Sequence, residues 1–128
     1  WAIANADEQI KSYLYRATEP RQPYHWIIAK DVLEHVEDAL GTINALCASA
    51  QQGIFAVVPL SPVNGAPYVV PEYEKDITHI HRLTLGAWGQ MSARPDWVVE
   101  LSYRVQGVKD NYAHHRYGNG FITARKVI

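Results

Sequence analysis

Residues 25–58 decide the fold, and they read HWIIAKDVLEHVEDALGTINALCASAQQGIFAVV. The apolar runs at 25–29 and 54–58 lack the alternation of a half-exposed strand, which predicts two strands that are buried on both faces. The stretch 36–51 between them predicts a helix, because its apolar residues recur at three- and four-residue spacing. Strand, helix and strand in this order predict a right-handed βαβ unit with adjacent parallel strands. The predicted buried stripe of the helix consists of Val36, Leu40, Ile43, Cys47 and Ala50.

The flanking segments extend this unit into a single α/β domain that covers residues 1–128. The proline-rich stretch 59–76 predicts a long irregular connection, and loops of that length tend to be functional or mobile. The last two predicted strands suggest an antiparallel pair at the end of a parallel sheet. The remaining predicted elements are helices at 2–14 and 83–91 and strands at 13–18, 97–105 and 121–128.

The composition excludes several classes of protein. The chain has 128 residues, which suffices for one modest hydrophobic core and not for two domains. A formal net charge of −1 makes a nucleic-acid partner unlikely. No apolar run approaches the length of a membrane span, so no membrane association is expected. The single cysteine, Cys47, excludes an internal disulfide and fits a reducing compartment, which predicts a cytoplasmic protein.

The run DVLEHVED at 31–38 carries a family resemblance. Together with the following helix and GIFAVVPLSP, it resembles the fourth strand, fourth helix and fifth strand of class I S-adenosylmethionine-dependent methyltransferases. AIANADEQIKSYLYRAT resembles the second helix and third strand, and THIHRLTLGAW the helix before the last two strands. The resemblance spans nearly the whole chain. It implies a Rossmann-like sheet with strands 3, 4, 5, 7 and 6 of the family order 3-2-1-4-5-7-6, the last strand antiparallel.

The resemblance further implies methyl transfer from S-adenosylmethionine to an unidentified acceptor, with a small molecule as the expected substrate. One family feature is missing from this chain. The glycine-rich turn that binds the cofactor's methionine part has no counterpart, since none of the eight glycines precedes Gly41. We therefore expect an incomplete domain, truncated before that motif, which alone binds the cofactor weakly or not at all. The alternative is a non-catalytic α/β module with an interaction or structural role.

The cofactor-binding residues implied by the resemblance follow the predicted strands. Ala17 and Thr18 would lie near the adenine, and Ala29, Lys30 and Asp31 would line the cofactor pocket. Parallel sheets bind ligands beyond the carboxyl ends of their strands, which is where these residues fall. The competing interpretation is an ordinary solvated strand end.

Glu34 and His35 are the predicted catalytic residues. Histidine can act as a general base at neutral pH, so His35 beside Glu34 suits proton removal from an acceptor. His79, His81 and Tyr73 are predicted to face the substrate from a loop. Asp31, Glu34 and His35, with His79 or His81, are also a plausible ligand set for a divalent ion. The preferred prediction is nevertheless a site without metal, in which Glu34 and His35 hold the loop and the helix start.

The resemblance implies that strands 1 and 2 of the family order are absent from this chain, which leaves an exposed sheet edge at 25–29. Unpaired backbone groups on an edge strand invite pairing with another chain, so a homo-oligomer is expected. Trp26, Trp88 and Trp97 are predicted core residues.

Overall fold

The computed structural model describes residues 24–109 and 111–127. The predicted helix at 2–14, the predicted strand at 13–18 and the candidate cofactor residues Ala17 and Thr18 lie outside the described residues. Among the described residues, no helix is long and apolar enough to cross a membrane. The strands are β1 (Tyr24–Lys30), β2 (Ala50–Pro59), β3 (Trp97–Ser102) and β4 (Asn119–Lys126), and the helices are α1 (Ala39–Ser49), α2 (Pro71–Glu74) and α3 (Leu85–Ser92).

The four described strands form one open mixed sheet in the order β1-β2-β4-β3. β1 and β2 are parallel neighbours, with Ile27 opposite Ile54 and Lys30 opposite Val57, which confirms the predicted strand, helix and parallel strand. β4 is antiparallel to both of its neighbours, β2 and β3. The last strand of the sequence therefore lies inside the sheet, and β3 lies at its edge.

Helix α1 is shorter at both ends than the predicted 36–51: β2 already begins at Ala50, and a side-chain cap fixes the start of the helix. The carboxylate of Asp38 accepts a hydrogen bond from the Gly41 backbone N–H at 2.9 Å, and such a cap begins a helix at the next residue. The preceding residues Leu33–His35 form a separate 3₁₀ turn. The predicted stripe was wrong at Leu40, which is exposed, because the buried face of the helix passes through Ala39 and Leu46 instead. Two other predicted members lie outside the helix, Val36 at the end of the 3₁₀ turn and Ala50 in β2. Cys47 is buried as predicted.

The hydrophobic core lies between one face of the sheet and helices α1 and α3. Alternate residues of β2 and β4 point to this face, and Trp88 of α3 is fully buried against it. The contributors from α1 include Ile43 and Leu46. Trp97 packs only partly against this core.

Strand β1 was wrongly predicted to be buried on both faces. Trp26 is 43% exposed and Ile28 is 71% exposed, so Trp26 is not a core residue. The physical reason is position: β1 is the terminal strand of the described sheet, and among the described strands only β2 pairs with it. The indole N–H of Trp26 instead donates to the Gln52 side chain at 2.9 Å.

Candidate functional site

Asp31 marks the carboxyl end of β1. It adopts a left-handed backbone conformation with φ of 56°, which aspartate tolerates better than most residues. Its backbone N–H still donates to the carbonyl of Val57 at 3.0 Å, so it extends the pairing of β1 with β2. Its carboxylate accepts from Lys109 Nζ at 2.9 and 3.0 Å. The predicted cofactor residue is thus paired with a lysine from a distant segment.

Glu34 and His35 are neighbours in the 3₁₀ turn after Asp31 but differ in their exposure to solvent. The turn buries Leu33 and Glu34 and leaves His35 exposed. Burial raises the pKa of the Glu34 carboxyl above its usual range, because a charged carboxylate loses water there. Glu34 Oε1 lies 3.4 Å from His35 Nε2. The sequence placed both residues at a helix start, and the structure buries the acid beneath the histidine.

A second segment, residues 76–82, lies against this turn. The Ile80 backbone N–H donates to the Glu34 carbonyl at 2.9 Å. The ring centres of His35 and His79 are 4.6 Å apart. His81 points elsewhere: its Nε2 bonds to the Val36 carbonyl at 2.6 Å. Of the two histidines predicted to face a substrate, His79 lies beside His35 and Glu34, whereas His81 attaches the loop to the backbone of Val36.

Glu74 links Tyr68 to Arg82, the last residue of the 76–82 segment. Its carboxylate accepts from the Tyr68 backbone N–H at 2.7 Å and from Arg82 Nε at 2.8 Å. The bond from Arg82 keeps the pKa of Glu74 below its usual range, and burial raises the pKa of the Tyr68 hydroxyl to about 12. His79 lies between Glu74 and Arg82 in sequence, so these contacts restrain the position of its backbone.

Tyr73 connects helix α2 to the segment before β4 and to Asn119, the first residue of β4. Its hydroxyl donates to Asn119 Oδ1 at 2.8 Å and accepts from Asn111 Nδ2 at 3.0 Å. Asn119 Nδ2 donates to Asn111 Oδ1 at 2.7 Å, which closes a ring of three side chains. Lys109 Nζ lies 5.6 Å from the centre of the Tyr73 ring. Tyr73 was predicted to face substrate, and in the structure its hydroxyl is engaged in this network.

A cleft of about 460 Å³ opens beyond the carboxyl end of β2. Its volume is within the range of small-molecule sites. The rings of Tyr103 and Tyr117 are in edge-to-face contact, with centres 5.0 Å apart. The cleft is lined by Leu60, Ser61, Pro62, Val69, Thr84, Leu85, Gly86, Tyr103 and Tyr117.

The structure therefore gathers most of the predicted site residues at one edge of the sheet. Ala29 is buried at the end of β1, and the Lys30 side chain is half exposed to solvent. Sequence reasoning missed Lys109, Asn111 and Asn119. They lie in a polar segment that reads as a solvated loop, and no local pattern links them to Asp31 or Tyr73.

Comparison of the chain with models of known protein families, with curated proteins and with solved structures finds no match.

Proposed function

We propose that this chain is the carboxyl-terminal part of a class I S-adenosylmethionine-dependent methyltransferase domain. The observation that carries the proposal is the sheet order β1-β2-β4-β3, in which the last strand is inserted antiparallel between two strands that precede it. This arrangement is the one expected if the four strands correspond to strands 4, 5, 7 and 6 of the family order. A mixed sheet of this order does not follow from a simple βαβ repeat, in which new strands are added parallel.

The location of the polar residues supports the same function. In open α/β sheets, ligands bind beyond the carboxyl ends of the parallel strands. Asp31, Glu34 and His35 follow β1 at that edge, and the 460 Å³ cleft follows β2. In the proposed assignment, Ala29, Lys30 and Asp31 line the cofactor side, and the cleft receives a small acceptor.

The proposed chemistry makes modest demands on the protein. The methyl carbon leaves the sulfonium of the cofactor as it bonds to an oxygen, nitrogen or carbon nucleophile of the acceptor. Such a transfer depends mainly on holding the two reactants in line. His35, beside Glu34, is the candidate base for the acceptor proton.

The second candidate function is a non-catalytic interaction module. The chain contains no glycine-rich turn of the kind that cradles the cofactor's methionine part, and this observation favours the module. The two functions differ in what they predict for Asp31. In the methyltransferase Asp31 belongs to a ligand site, whereas in the module it only forms a surface ion pair with Lys109.

Equilibrium dialysis with radiolabelled S-adenosylmethionine separates the two functions. The sequence leaves weak binding or none as the expected outcomes, and the proposed site at the end of β1 requires the first. We therefore expect weak, millimolar binding, and we expect Asp31→Asn to weaken it further. The matched control is Asp96→Asn: Asp96 also has a left-handed backbone, with φ of 65°, but lies just before β3 at the opposite edge of the sheet. Asparagine tolerates that conformation, so both variants should fold.

Two results would count against the methyltransferase proposal: no binding at any accessible concentration, or equal loss in both variants. Micromolar binding, about −8 kcal/mol, would contradict the expectation that this chain alone binds weakly.

We also propose that the chain self-associates through the β1 edge. Trp26 and Ile28 expose apolar side chains on β1, the terminal strand of the described sheet. Light scattering at low micromolar concentration is expected to give a mass above that of the 14.5 kDa monomer. Ile28→Lys should shift the mass to the monomer, since a charged edge residue opposes strand pairing. Val63→Lys removes a similarly exposed apolar residue outside the sheet and should leave the mass unchanged. A monomeric wild-type protein would contradict the proposal.

A further inference from the structure

Glu34, His35 and His79 offer three ligand atoms that lie within 4.8 Å of one another. They come from two segments, the 3₁₀ turn and the loop at 76–82, and the backbone bond from Ile80 to Glu34 holds those segments together. We infer that these three residues bind a divalent transition-metal ion of the zinc or cobalt type. The inference stands on this geometry and does not depend on methyl transfer.

The hydrogen bonds of His35 leave its Nε2 available as a ligand. Nδ1 faces the Thr78 carbonyl at 3.1 Å and the Thr78 hydroxyl at 2.9 Å. The hydroxyl proton is donated to Asp76, so the hydroxyl oxygen is an acceptor toward the ring. Both partners therefore accept, and Nδ1 must carry the hydrogen. In the neutral ring the lone pair is then on Nε2, 3.4 Å from Glu34 Oε1.

His79 is oriented in the same way. Its Nδ1 lies 2.8 Å from the Tyr73 carbonyl, which can only accept, so Nδ1–H donates and Nε2 has the lone pair. Metal-binding histidines characteristically donate their second ring N–H to a carbonyl or carboxylate, which fixes the tautomer and the ring orientation. His35 and His79 both show this arrangement.

An ion-pair cluster explains these distances less well. Protonated rings would carry N–H on Nε2 and would need a good acceptor there. The Nε2 atom of His35 lies 3.4 Å from Glu34 Oε1, and the Nε2 atom of His79 lies 3.5 Å from Asp76 Oδ2. Both distances are longer than the 2.7–3.2 Å of an ordinary N–H···O bond. The histidines approach carboxylates without bonding to them well.

Glu34 supplies an independent observation. The residue is 1% exposed, and its Oε2 has no hydrogen-bond partner among the described residues. Burying a carboxylate oxygen without a partner is costly, and buried charges are normally paired or bound to a metal. A cation bound by the Glu34 carboxylate and the two histidines would offset the cost of burying this charge.

The structure also narrows the ligand set that the sequence left open. Both carboxylate oxygens of Asp31 accept from Lys109 Nζ, and the Nε2 atom of His81 is hydrogen-bonded to the Val36 carbonyl. We therefore leave Asp31 and His81 out of the ligand set. Two imidazole nitrogens and one carboxylate suit zinc and its neighbours, whereas magnesium and calcium prefer oxygen ligands. Bonds of about 2.0–2.2 Å draw the three atoms together and leave at least one position open. His35 would then bind the ion instead of serving as a base.

The test is titration of the metal-free wild-type protein with Co²⁺, followed by visible absorption. We expect saturable 1:1 binding, displacement by Zn²⁺ and no displacement by Mg²⁺. Glu34→Gln and His79→Gln are expected to weaken binding at least tenfold, because each removes one of three ligands. His114→Gln is the control, since His114 is an exposed histidine outside both segments.

A second readout needs no variant. In the wild-type protein, Zn²⁺ should shift the imidazole nitrogen resonances of His35 and His79 and leave those of His81 unchanged. Three results would overturn the inference: absence of saturable binding, equal weakening by His114→Gln, or resonance shifts that include His81 and omit His79. None of these results would bear on cofactor binding at Asp31, which the dialysis measures separately.

Discussion

Replacement of Trp88 by alanine is expected to cost about 3–5 kcal/mol of unfolding free energy, as for other buried tryptophans. Trp88 is fully buried on α3, in the core between that helix and the sheet. The ring of His81 meets it edge-on, with centres 6.0 Å apart. Truncation would leave a cavity beneath α3 and remove the contact that holds the end of the 76–82 loop. Urea denaturation followed by far-ultraviolet circular dichroism measures the loss.

Trp88→Phe provides the control for this prediction. The indole Nε1 has no hydrogen-bond partner among the described residues, so phenylalanine loses volume but no hydrogen bond. Removal of an unsatisfied buried donor is itself favourable. We expect Trp88→Phe to lose less than half as much as Trp88→Ala. Equal losses would mean that Nε1 does make a stabilising hydrogen bond.

Gly53→Ala is expected to be the other strongly destabilising change, by about 1–3 kcal/mol for overpacking. A Cβ at Gly53 would lie 2.5 Å from the Ala124 carbonyl oxygen and 2.7 Å from the Trp26 ring. The carbonyl belongs to the backbone of β4, so relief requires the β2–β4 pair to separate or shift. This clash follows from the observed pairing of β2 with β4 and from the position of the Trp26 ring on β1.

Gly86→Ala is the matched control, with an effect of opposite sign. Gly86 lies in the first turn of α3, and the nearest atom to its added Cβ is Thr84 Oγ1 at 3.9 Å. Alanine in a helix is favoured over glycine by about 0.5–1 kcal/mol, so the variant should be as stable as the wild type or more so. A Gly53→Ala protein that melts with the wild type would contradict the close pairing of β2 with β4, which is one part of the strand order on which the proposed function rests.

The central part of the fold was accessible from the sequence because its signals are local. The apolar runs and the helical spacing within 25–58 predicted β1, α1 and β2 and their parallel pairing, and the structure confirms them. The exact helix start depended on the Asp38 cap, and the apolar spacing alone did not show that Leu40 lies off the buried face. The exposure of Trp26 and Ile28 could not be predicted from the neighbouring residues, because it depends on which strand lies at the edge of the sheet.

The candidate site was predictable only in part. Asp31, Glu34 and His35 were accessible because they directly follow a buried strand. Their partners were not, since Lys109 lies 78 residues from Asp31 in sequence and no short-range pattern connects the two. The burial of Glu34 was also hidden, because an acid near a helix start normally reads as solvated. The choice of His79 over His81 depended on which carbonyls the two rings reach.

The most direct test of the central claim is a titration of ¹⁵N-labelled protein with S-adenosylhomocysteine, followed through the backbone amide resonances. The claim is that a methyl-donor site lies at the carboxyl end of β1. We therefore expect dose-dependent shifts that include Ala29, Lys30 and Asp31 and leave Asp96, at the opposite edge, unmoved. Absence of shifts at millimolar ligand, or shifts that centre on Asp96 and spare Asp31, would contradict the account.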